Sequence, residues 1–444
     1  MSAARKKPEP PLTTVDVQLE LIICAFREKG IAIGVAHTSE GGVDFVYQEG
    51  VILVRDAYLR QVADVVGGGE TIDGLVHGVT LFSLAKAKIQ DVLRALAEID
   101  ARLGVGVATP NHILSICPVS PCPATEPEEV PGGELPDPGV CDAGGHGVFI
   151  YVPDTGLLAD AGDHPWLVGV AGELDPLSEI GDTVEIREYA GHGTFVAGVA
   201  RCMAPVSTVH VGSDFTTAGA LSEDKIVKRL YEALGLGPDI ISLSAGGTTR
   251  KDLPLLSFEC FWHRYRHHKG TVLVAAAGNN STRRPFWPAA FPEVVGVGAL
   301  AVNWRSRANF SDYGHWVDVY APGADLVNAY ATGVYKYREP PHIGQEREFH
   351  GMARWSGTSF STPLVSGLIA ARVSRTGESA RIAADALLTI ARAQRLPGVG
   401  PVLWPCQTAG NCCDHADCGG RSAYGGSAGC GCSEGGGAHR GRRC

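Results

Sequence analysis

The chain has no apolar run long enough to cross a bilayer. Its longest apolar runs, such as residues 272–277, have the length of a strand and fall far short of the roughly 20 residues that a membrane helix needs. It also has no excess of positive charge, because 48 Asp and Glu residues outnumber 38 Lys and Arg residues and the net charge is −10. We therefore expect no membrane and no nucleic acid as partners.

The N-terminus lacks a segment of the secretory type. Arg5 and Lys6 give it a basic start, but acidic and proline residues follow instead of an apolar stretch, and the short run at 19–26 contains Glu20. We therefore expect a cytoplasmic protein, with export by another route left open. The 13 cysteines are odd in number, so at least one cannot pair within the chain.

The 444 residues leave room for two or three domains, and residues 1–118 are predicted to form a small α+β domain. Runs of β-branched residues in this part indicate strands, and apolar residues spaced three and four apart indicate helices. The predicted strands are 43–48, 51–54 and 113–116, and the predicted helices are 58–66 and a stretch from 84 to 103 that Ser83 caps.

Residues 119–146 differ sharply in composition from the part before them. Proline, glycine and glutamate are interleaved there, for example around Pro127 and Glu128. A segment of this composition has little to bury, so we predict an exposed linker.

Residues 147–404 repeat the order of apolar strand, turn and helix. Helix-like stretches such as 223–234 and 362–372 lie between or after strand-like runs that are mostly β-branched. This alternation predicts an α/β domain with a mostly parallel sheet and helices on both faces. Ligands bind at the carboxyl ends of the strands in such sheets, where we expect Asp154 and Asn279 to lie. The predicted strands are 148–152, 208–211, 240–243, 272–276 and 294–297.

Residues 405–444 have no Leu, Ile, Val, Phe, Trp or Met, so they cannot form a core of their own. This tail holds seven of the 13 cysteines. Three interpretations stay open. It binds zinc through its cysteines with His415 and His439, although the spacing fits no standard pattern; it forms disulfides if the protein is exported; or it is a disordered, low-complexity segment.

Three short motifs present an acid, a base and a nucleophile in that order along the chain. A serine hydroxyl needs a base within hydrogen-bond reach, and the base needs a partner that fixes its tautomer. We therefore predict that Ser359 is the catalytic nucleophile, His192 the base and Asp154 the group that orients the base. The motifs are Val152-Pro153-Asp154-Thr155-Gly156, Gly191-His192-Gly193-Thr194 and Ser356-Gly357-Thr358-Ser359-Phe360-Ser361-Thr362-Pro363.

The same chemistry needs donors for the oxyanion of the tetrahedral intermediate. Asn279 comes directly after Gly278 at the end of an apolar strand, so we predict that its side-chain NH₂ acts with the Ser359 backbone N–H. Ser359 precedes an apolar stretch, and a place at a helix N-terminus aims backbone N–H groups at the reacting centre. Pro363 is tolerated there, in the first helical turn.

With these motifs, residues 147–404 resemble a subtilisin-family (subtilase) serine protease of the peptidase S8 type. The order Asp, His, Ser is the order found in that family. The resemblance implies a subtilisin-like α/β fold and a serine endopeptidase that cuts peptides or proteins through an acyl-enzyme. Further matching segments are 242–247, 287–292, 309–314 and 321–323.

The resemblance also implies that an extended peptide is bound by strand addition. Ser244, Ala245 and Gly246 would pair with it on one side, and the region around Gly212 on the other. The small side chains before and at Gly278 favour a roomy, apolar primary pocket.

The N-terminal domain resembles the inhibitory propeptide of the same family in its pattern and position. Its end, Asn111-His112-Ile113-Leu114, is similar to the polar-then-apolar ending of such propeptides. The resemblance implies that residues up to about 118 assist folding and block the cleft as an inhibitor. A cut in the linker would then release the enzyme.

Some features depart from the family pattern. Phe195 stands where many members carry another histidine, which should alter packing more than chemistry. No Asp/Asn-rich loop of calcium-binding spacing is evident, so we expect no metal site in the catalytic domain and no cofactor. Two alternatives to a general endopeptidase stay open: a catalytically silent module that holds an extended peptide, and a processing protease dedicated to one partner.

Overall fold

The structure is a computed structural model that describes residues 14–72, 77–116, 125–131, 133–141, 144–180, 183–215, 218–266, 270–339 and 341–405. The predictions for the cysteine-rich tail concern residues 406–444 and therefore lie outside the described residues. Among the described helices, none is both long enough and apolar enough to span a membrane.

The N-terminal unit combines helices with antiparallel strands, as its sequence pattern predicts. Its elements are α1 (Thr14–Glu28), β1 (Ile33–His37), β2 (Val43–Arg55), α2 (Leu59–Val66), β3 (Glu70–Thr71), β4 (Val79–Ser83), α3 (Val92–Leu103) and β5 (Ala108–Ser115). Strand β2 pairs with β1, β4 and β5, and β3 pairs with β4. Helices α2 and α3 cover one face of this sheet, and their contact forms a core that includes Ile52, Val62 and Leu96.

One strand replaces the two that were predicted at 43–48 and 51–54. Strand β2 runs through Gly50, whose φ of 72° is available to glycine without steric cost. The first half of β2 pairs with β1 and the second half with β4. The break in the apolar pattern is therefore a local irregularity within a continuous strand.

The helix predicted after Ser83 begins later than expected. Ser83 ends β4, and α3 begins at Val92 after Asp91, whose side chain accepts the Arg94 N–H at 2.7 Å. Leu84 is fully buried in the core of this unit, but it lies in an irregular segment. The apolar spacing over residues 84–91 therefore indicates burial and not a helix.

The larger unit alternates strands and helices along most of its length. Its strands are β6 (Glu128–Glu129), β7 (Phe149–Asp154), β8 (Ala171–Gly172), β9 (Ser178–Ile180), β10 (Thr183–Ile186), β11 (Thr208–Ser213), β12 (Ala220–Ser222), β13 (Ile240–Leu243), β14 (Val272–Ala276), β15 (Val294–Leu300), β16 (Val319–Pro322), β17 (Leu326–Lys336) and β18 (Glu346–Trp355). Its helices are α4 (His192–Met203), α5 (Glu223–Gly235), α6 (Leu256–Tyr265), α7 (Thr358–Thr376) and α8 (Ala380–Ala393).

The central sheet has seven parallel strands in the order β16-β15-β14-β13-β7-β11-β8. Successive residues of a strand point to opposite faces. Ile240 therefore joins the core beside α4, α7 and α8, while Ile241 joins the core beside α5 and α6. The five predicted strands are present, and the predicted parallel sheet between two layers of helices is confirmed.

A second sheet connects the predicted linker to the larger unit. Strands β17 and β18 form a long antiparallel hairpin, and β6 pairs with β18. Val130 is buried in the main core, and the Trp355 indole N–H donates to the Thr125 carbonyl. The prediction of an exposed linker is therefore wrong for Pro127 and Val130, which are buried, whereas residues 128, 129 and 131 are exposed.

Candidate active site

Asp154 and His192 lie in contact at the carboxyl edge of the seven-stranded sheet. Asp154 ends β7 and His192 begins α4, and the imidazole Nδ1–H donates to Asp154 Oδ1 at 2.8 Å. Both side chains are buried. The Thr155 backbone N–H donates to the same carboxylate oxygen at 2.8 Å, which holds the carboxylate in this orientation.

A second buried carboxyl, that of Asp175, connects the two segments that carry Asp154 and His192. Asp175 accepts the Thr155 hydroxyl at 2.7 Å and the Gly191 N–H at 2.8 Å. It therefore joins the residue after Asp154 to the residue before His192. Burial raises the pKa of Asp175 above its ordinary value. The spacing between acid and base thus depends on a side chain that neither motif contains.

Ser359 lies in the first turn of α7, close to the end of β13. Its carbonyl accepts the Ser244 hydroxyl at 2.8 Å, which ties this helix to the segment after β13. Its own hydroxyl donates to the Ile116 carbonyl at 3.1 Å. His192 Nε2 is buried and has no hydrogen-bond partner among the described residues. The serine hydrogen is therefore engaged by the N-terminal unit and not by the imidazole.

Asn279 follows β14 and meets the same end of α7. Its Oδ1 accepts both the backbone N–H and the hydroxyl of Thr358, each at 2.9 Å. With the oxygen engaged there, the NH₂ group is the part of the amide that remains available as a donor. Gly278, directly before it, has a φ of 98°, a conformation that glycine adopts without strain.

The end of β5 lies in the cleft as an extended strand that is paired on both edges. Ser115 exchanges two backbone hydrogen bonds with Gly246, each 3.0 Å long. On the other edge β5 pairs antiparallel with β12, and the Ile116 N–H donates to the Gly219 carbonyl at 2.9 Å. Buried Ala245 lies between Gly246 and the Ser244 contact to α7. Within residues 244–246, Gly246 is thus the residue that pairs with the extended strand.

The second edge of the cleft is not at Gly212, where the sequence places it. Gly212 lies within β11 and pairs with Pro153 in the central sheet. A Cβ added to Gly212 would meet the Tyr151 hydroxyl and the Asp214 carboxyl, so the space beside its Cα is filled. Its backbone is already paired within the sheet. The edge that pairs with β5 lies in the segment after β11, at residues 219–222.

Polar side chains also join the N-terminal unit to the start of α5. Asn111 and Asp224 exchange two hydrogen bonds, of 2.9 and 3.3 Å. His112 Nδ1 bonds to Glu223 at 2.9 Å, and its Nε2 accepts the Arg250 N–H at 3.2 Å. The four side chains of residues 111, 112, 223 and 224 are buried. The end of this unit is therefore held by specific polar contacts as well as by strand pairing.

Aromatic rings surround the imidazole of His192. Trp355 lies edge-on to it, and Phe360 is tilted against it, each with ring centroids 5.4 Å apart. Phe195 packs behind them, 4.5 Å from the Phe360 centroid and 5.8 Å from that of Trp355. Polar contact with His192 is thereby confined to its two ring nitrogens.

The site contains the groups that are needed for a hydroxyl oxygen to attack a carbonyl carbon. It brings together a carboxylate, an imidazole, a serine at a helix N-terminus and an asparagine amide. Within the part of the chain that the structure describes, no group of three or more His, Cys, Asp or Glu residues is placed to hold a metal ion.

Comparison with known proteins identifies the family to which the chain belongs. The model of the subtilase family, Peptidase_S8, matches residues 145–392, which are more than half of the chain. The chain belongs to the subtilase family. The matched segment of this subtilase contains Asp154, His192, Asn279 and Ser359.

Relatives of this subtilase are named as serine proteases. The thermophilic serine proteinase of Bacillus sp. (strain AK1) is 33% identical over 243 residues, which are 51% of this chain and 52% of that protein. Thermitase of Thermoactinomyces vulgaris is 30% identical over 249 residues, which are 54% of this chain and 78% of thermitase. The alignment thus spans about half the length of the first relative and more of the second.

A solved structure shows the same fold. The crystal structure of fervidolysin from Fervidobacterium pennivorans, a keratinolytic enzyme related to subtilisin, matches with a TM-score of 0.54 and 20% sequence identity. The match covers 81% of this subtilase and 60% of that chain. This share is larger than residues 147–404 alone provide, so the likeness extends beyond them.

The supporting contacts of the site are the part that the sequence does not reveal. Thr358 and Asn279 are 79 positions apart, Thr155 and Asp175 are 20 apart, and Ser359 and Ile116 are 243 apart. Motifs of a few residues carry no information on such pairs. The polar-then-apolar ending at 111–114 is the one signal that points toward Ile116.

Proposed function

We propose that this subtilase is a serine endopeptidase that hydrolyses peptide bonds through Asp154, His192 and Ser359, and that its own N-terminal unit inhibits it. The observation that carries the proposal is the hydrogen bond from the Ser359 hydroxyl to the Ile116 carbonyl. The strand that leads to this carbonyl is extended and paired on both edges. A protease presents a substrate carbonyl to its nucleophile in the same arrangement.

In the proposed reaction, His192 Nε2 takes the Ser359 proton as the hydroxyl oxygen attacks the carbonyl carbon of the substrate. Asp154 keeps the other imidazole proton on Nδ1 through the 2.8 Å hydrogen bond and stabilises the imidazolium. His192 then gives its proton to the leaving amine as the acyl-enzyme forms. Water attacks the ester with help from the same base, which releases the acid and restores Ser359.

The proposed oxyanion donors are the Asn279 NH₂ group and the Ser359 backbone N–H. The two hydrogen bonds from Thr358 to Asn279 Oδ1 support this role, because they fix which end of the amide is available. Loss of one such donor in a related enzyme lowers kcat by about 10²- to 10³-fold.

The N-terminal unit is the proposed inhibitor. Its last strand fills the cleft and engages the Ser359 hydroxyl, and its buried His112 and Asn111 hold it to α5. We propose that maturation cuts the bond between Ile116 and Cys117, because the Ile116 carbonyl is the one that the nucleophile contacts.

The bound strand also suggests which substrates fit. Leu114 and Ile116 are buried in an apolar cluster with Ala245 and Leu243. We propose that peptide or protein substrates with apolar side chains at the same two alternate positions bind best, because they would bury equivalent apolar area.

A serine-reactive fluorophosphonate probe tests the proposed chemistry. The full chain is incubated until its mass stops changing and is then labelled beside Ser359→Ala and Ser366→Ala. Ser366 is a matched control, since it is a buried hydroxyl on the same helix and bonds to Ser242 at 3.0 Å. We expect labelling of the wild type and of Ser366→Ala but not of Ser359→Ala. Equal labelling of Ser359→Ala, or none of the wild type, would contradict the proposal.

A further inference from the structure

The turn that carries Asn279 is anchored from two sides. It spans residues 277–282, directly after β14. On one side the Thr358 hydroxyl accepts the Gly278 N–H at 3.2 Å. On the other side residues 310–312 accept the N–H groups of three consecutive residues, 280–282.

Asp312 makes most of the contacts on that second side. Its Oδ1 accepts the N–H groups of Asn280 and Thr282, each at 2.9 Å. Its own N–H donates to the Gly278 carbonyl at 2.9 Å. Asp312 therefore contacts the turn both before and after Asn279.

The backbone of the turn creates the need for this acceptor. Ser281 has a φ of 52°, in the left-handed region that residues other than glycine seldom adopt. A left-handed residue between Asn280 and Thr282 directs their two N–H groups toward one point, where a single oxygen can accept both. The Asp312 carboxyl fills that point, and without it both N–H groups would lose their partner.

The neutral form of the Asp312 side chain would be compatible with a nearby oxyanion. The side chain is fully buried, and its Oδ2 has no hydrogen-bond partner within the described part of the chain. Burial raises the pKa of Asp312 to about 8, which favours the neutral acid over the carboxylate. A neutral carboxyl still accepts both N–H groups, and it adds no negative charge near the point where an oxyanion forms.

We infer that Asp312 is a positioning residue for the oxyanion hole, where its carboxyl fixes the turn at 277–282 and thereby the place of the Asn279 NH₂ group. The inference rests on the proposed function, since it concerns the same reaction. Asn279 is expected to act on the transition state and not on the bound substrate. Loss of Asp312 should therefore lower kcat and leave KM nearly unchanged.

Steady-state kinetics of the full chain after self-cleavage test this role. The values of kcat and KM are measured with an internally quenched peptide, per site that a fluorophosphonate labels. The variants are Asp312→Ala, Asp312→Asn and Asp318→Ala. Asp318 is the matched control, because it also accepts a backbone N–H, that of Gly296 at 2.9 Å, and its pKa is also raised by burial.

We expect Asp312→Ala to lower kcat by about 10- to 100-fold and to change KM less than about threefold. Asp312→Asn should keep kcat within about threefold of the wild type, because its Oδ1 accepts the same two N–H groups. Asp318→Ala should leave kcat near the wild-type value. An unchanged kcat in Asp312→Ala, or the same loss in Asp312→Asn, would overturn the inference.

A double-mutant cycle separates positioning from general damage. In an Asn279→Ala background there is no amide left to position, so adding Asp312→Ala should lower kcat by less than about threefold. A loss that is fully additive would show that Asp312 acts elsewhere. If Asp312→Ala does not fold, Asp312→Ser serves in its place, since the shorter side chain cannot reach both N–H groups. If the wild type is neither labelled by the fluorophosphonate nor active on the peptide, the result contradicts the proposed function and not only the role of Asp312.

Discussion

Thr358 sets the orientation of the Asn279 amide. An amide oxygen that accepts two hydrogen bonds of 2.9 Å cannot exchange places with its NH₂ group without losing both. The same hydroxyl also accepts the Gly278 N–H. One side chain next to Ser359 in sequence therefore connects the helix of the proposed nucleophile to the turn of the proposed oxyanion donor.

Thr358→Val tests this connection, because it removes the hydroxyl and keeps the branched shape of the side chain. We expect kcat to fall about 10-fold with little change in KM, since the backbone N–H of residue 358 still donates to Asn279. Thr358→Ser keeps the hydroxyl and is the control. Peptide hydrolysis rates measure the effect, and equal kcat values for the two variants would argue against the orienting role.

The sequence predicts the reacting groups better than the groups that support them. Asp154, His192 and Ser359 are recognisable because the chemistry restricts each position to one residue type among small neighbours, and the structure brings the first two into contact. Asp312 is not recognisable in this way. Its partners lie 32 and 30 positions away, and only the folded chain brings them together.

At the scale of elements, strand β5 makes two kinds of contact with the larger unit. Backbone pairing with Gly246 and β12 is open to any extended peptide. The buried contacts of Asn111 and His112 with the start of α5 depend on these particular side chains. These side chains therefore distinguish the N-terminal unit from a substrate, and its hold on the cleft should depend on them.

His112→Ala tests that dependence. The variant loses the hydrogen bonds to Glu223 and to the Arg250 N–H and leaves a buried carboxyl with fewer partners. We expect a fluorophosphonate to label the freshly purified, uncut chain about 10- to 100-fold faster than the wild type. His77→Ala is the matched control, because His77 is an exposed histidine of the same unit. Labelling of His112→Ala at the wild-type rate would speak against this view of the inhibition.

The sequence predicts the wrong segment for the second edge of the cleft, because two neighbouring segments have a similar composition. Gly212 and residues 219–222 both follow the apolar part of β11 and are rich in small residues, so the sequence does not tell which of them forms the edge of the cleft. The fold decides the matter, because β11 continues through Gly212 within the central sheet. The parallel strands themselves are predicted well, since each is a short, β-branched run that is buried on both faces.

For the molecule as a whole, buried carboxyls, with Asp312 and Glu339 among them, make stability depend on pH. Burial raises the pKa of Asp312 to about 8 and that of Glu339 to about 7, with the charge of Glu126 adding to the second effect. Glu339 accepts the Gln18 NH₂ group at 2.6 Å and so joins α1 to the turn between β17 and β18. Both carboxyls bind a proton more tightly in the folded chain, so their contribution is full below their unfolded pKa values. It is lost as the pH rises through about 7 to 8.

Glu339→Gln removes one of these titrations, because glutamine accepts the same hydrogen bond from Gln18 and cannot ionise. In a Ser359→Ala background, which lacks the proposed nucleophile, we compare the free energy of unfolding in urea at about pH 5 and about pH 8. The parent should lose up to about 3 kcal/mol relative to Glu339→Gln over this interval. Glu232→Gln, at an exposed carboxyl, is the control. A difference that does not change with pH would contradict the prediction.

We propose above all that Ser359 hydrolyses peptide bonds. The first bond that it cuts in its own chain is expected to be the one after Ile116, whose carbonyl its hydroxyl contacts. Intact mass spectrometry of the purified full chain and of Ser359→Ala, followed over time, tests it most directly. We predict that the wild type divides into one fragment that ends at Ile116 and another that begins at Cys117, while Ser359→Ala stays whole. A wild type that stays whole, or a Ser359→Ala chain cut at the same bond and rate, would contradict the account.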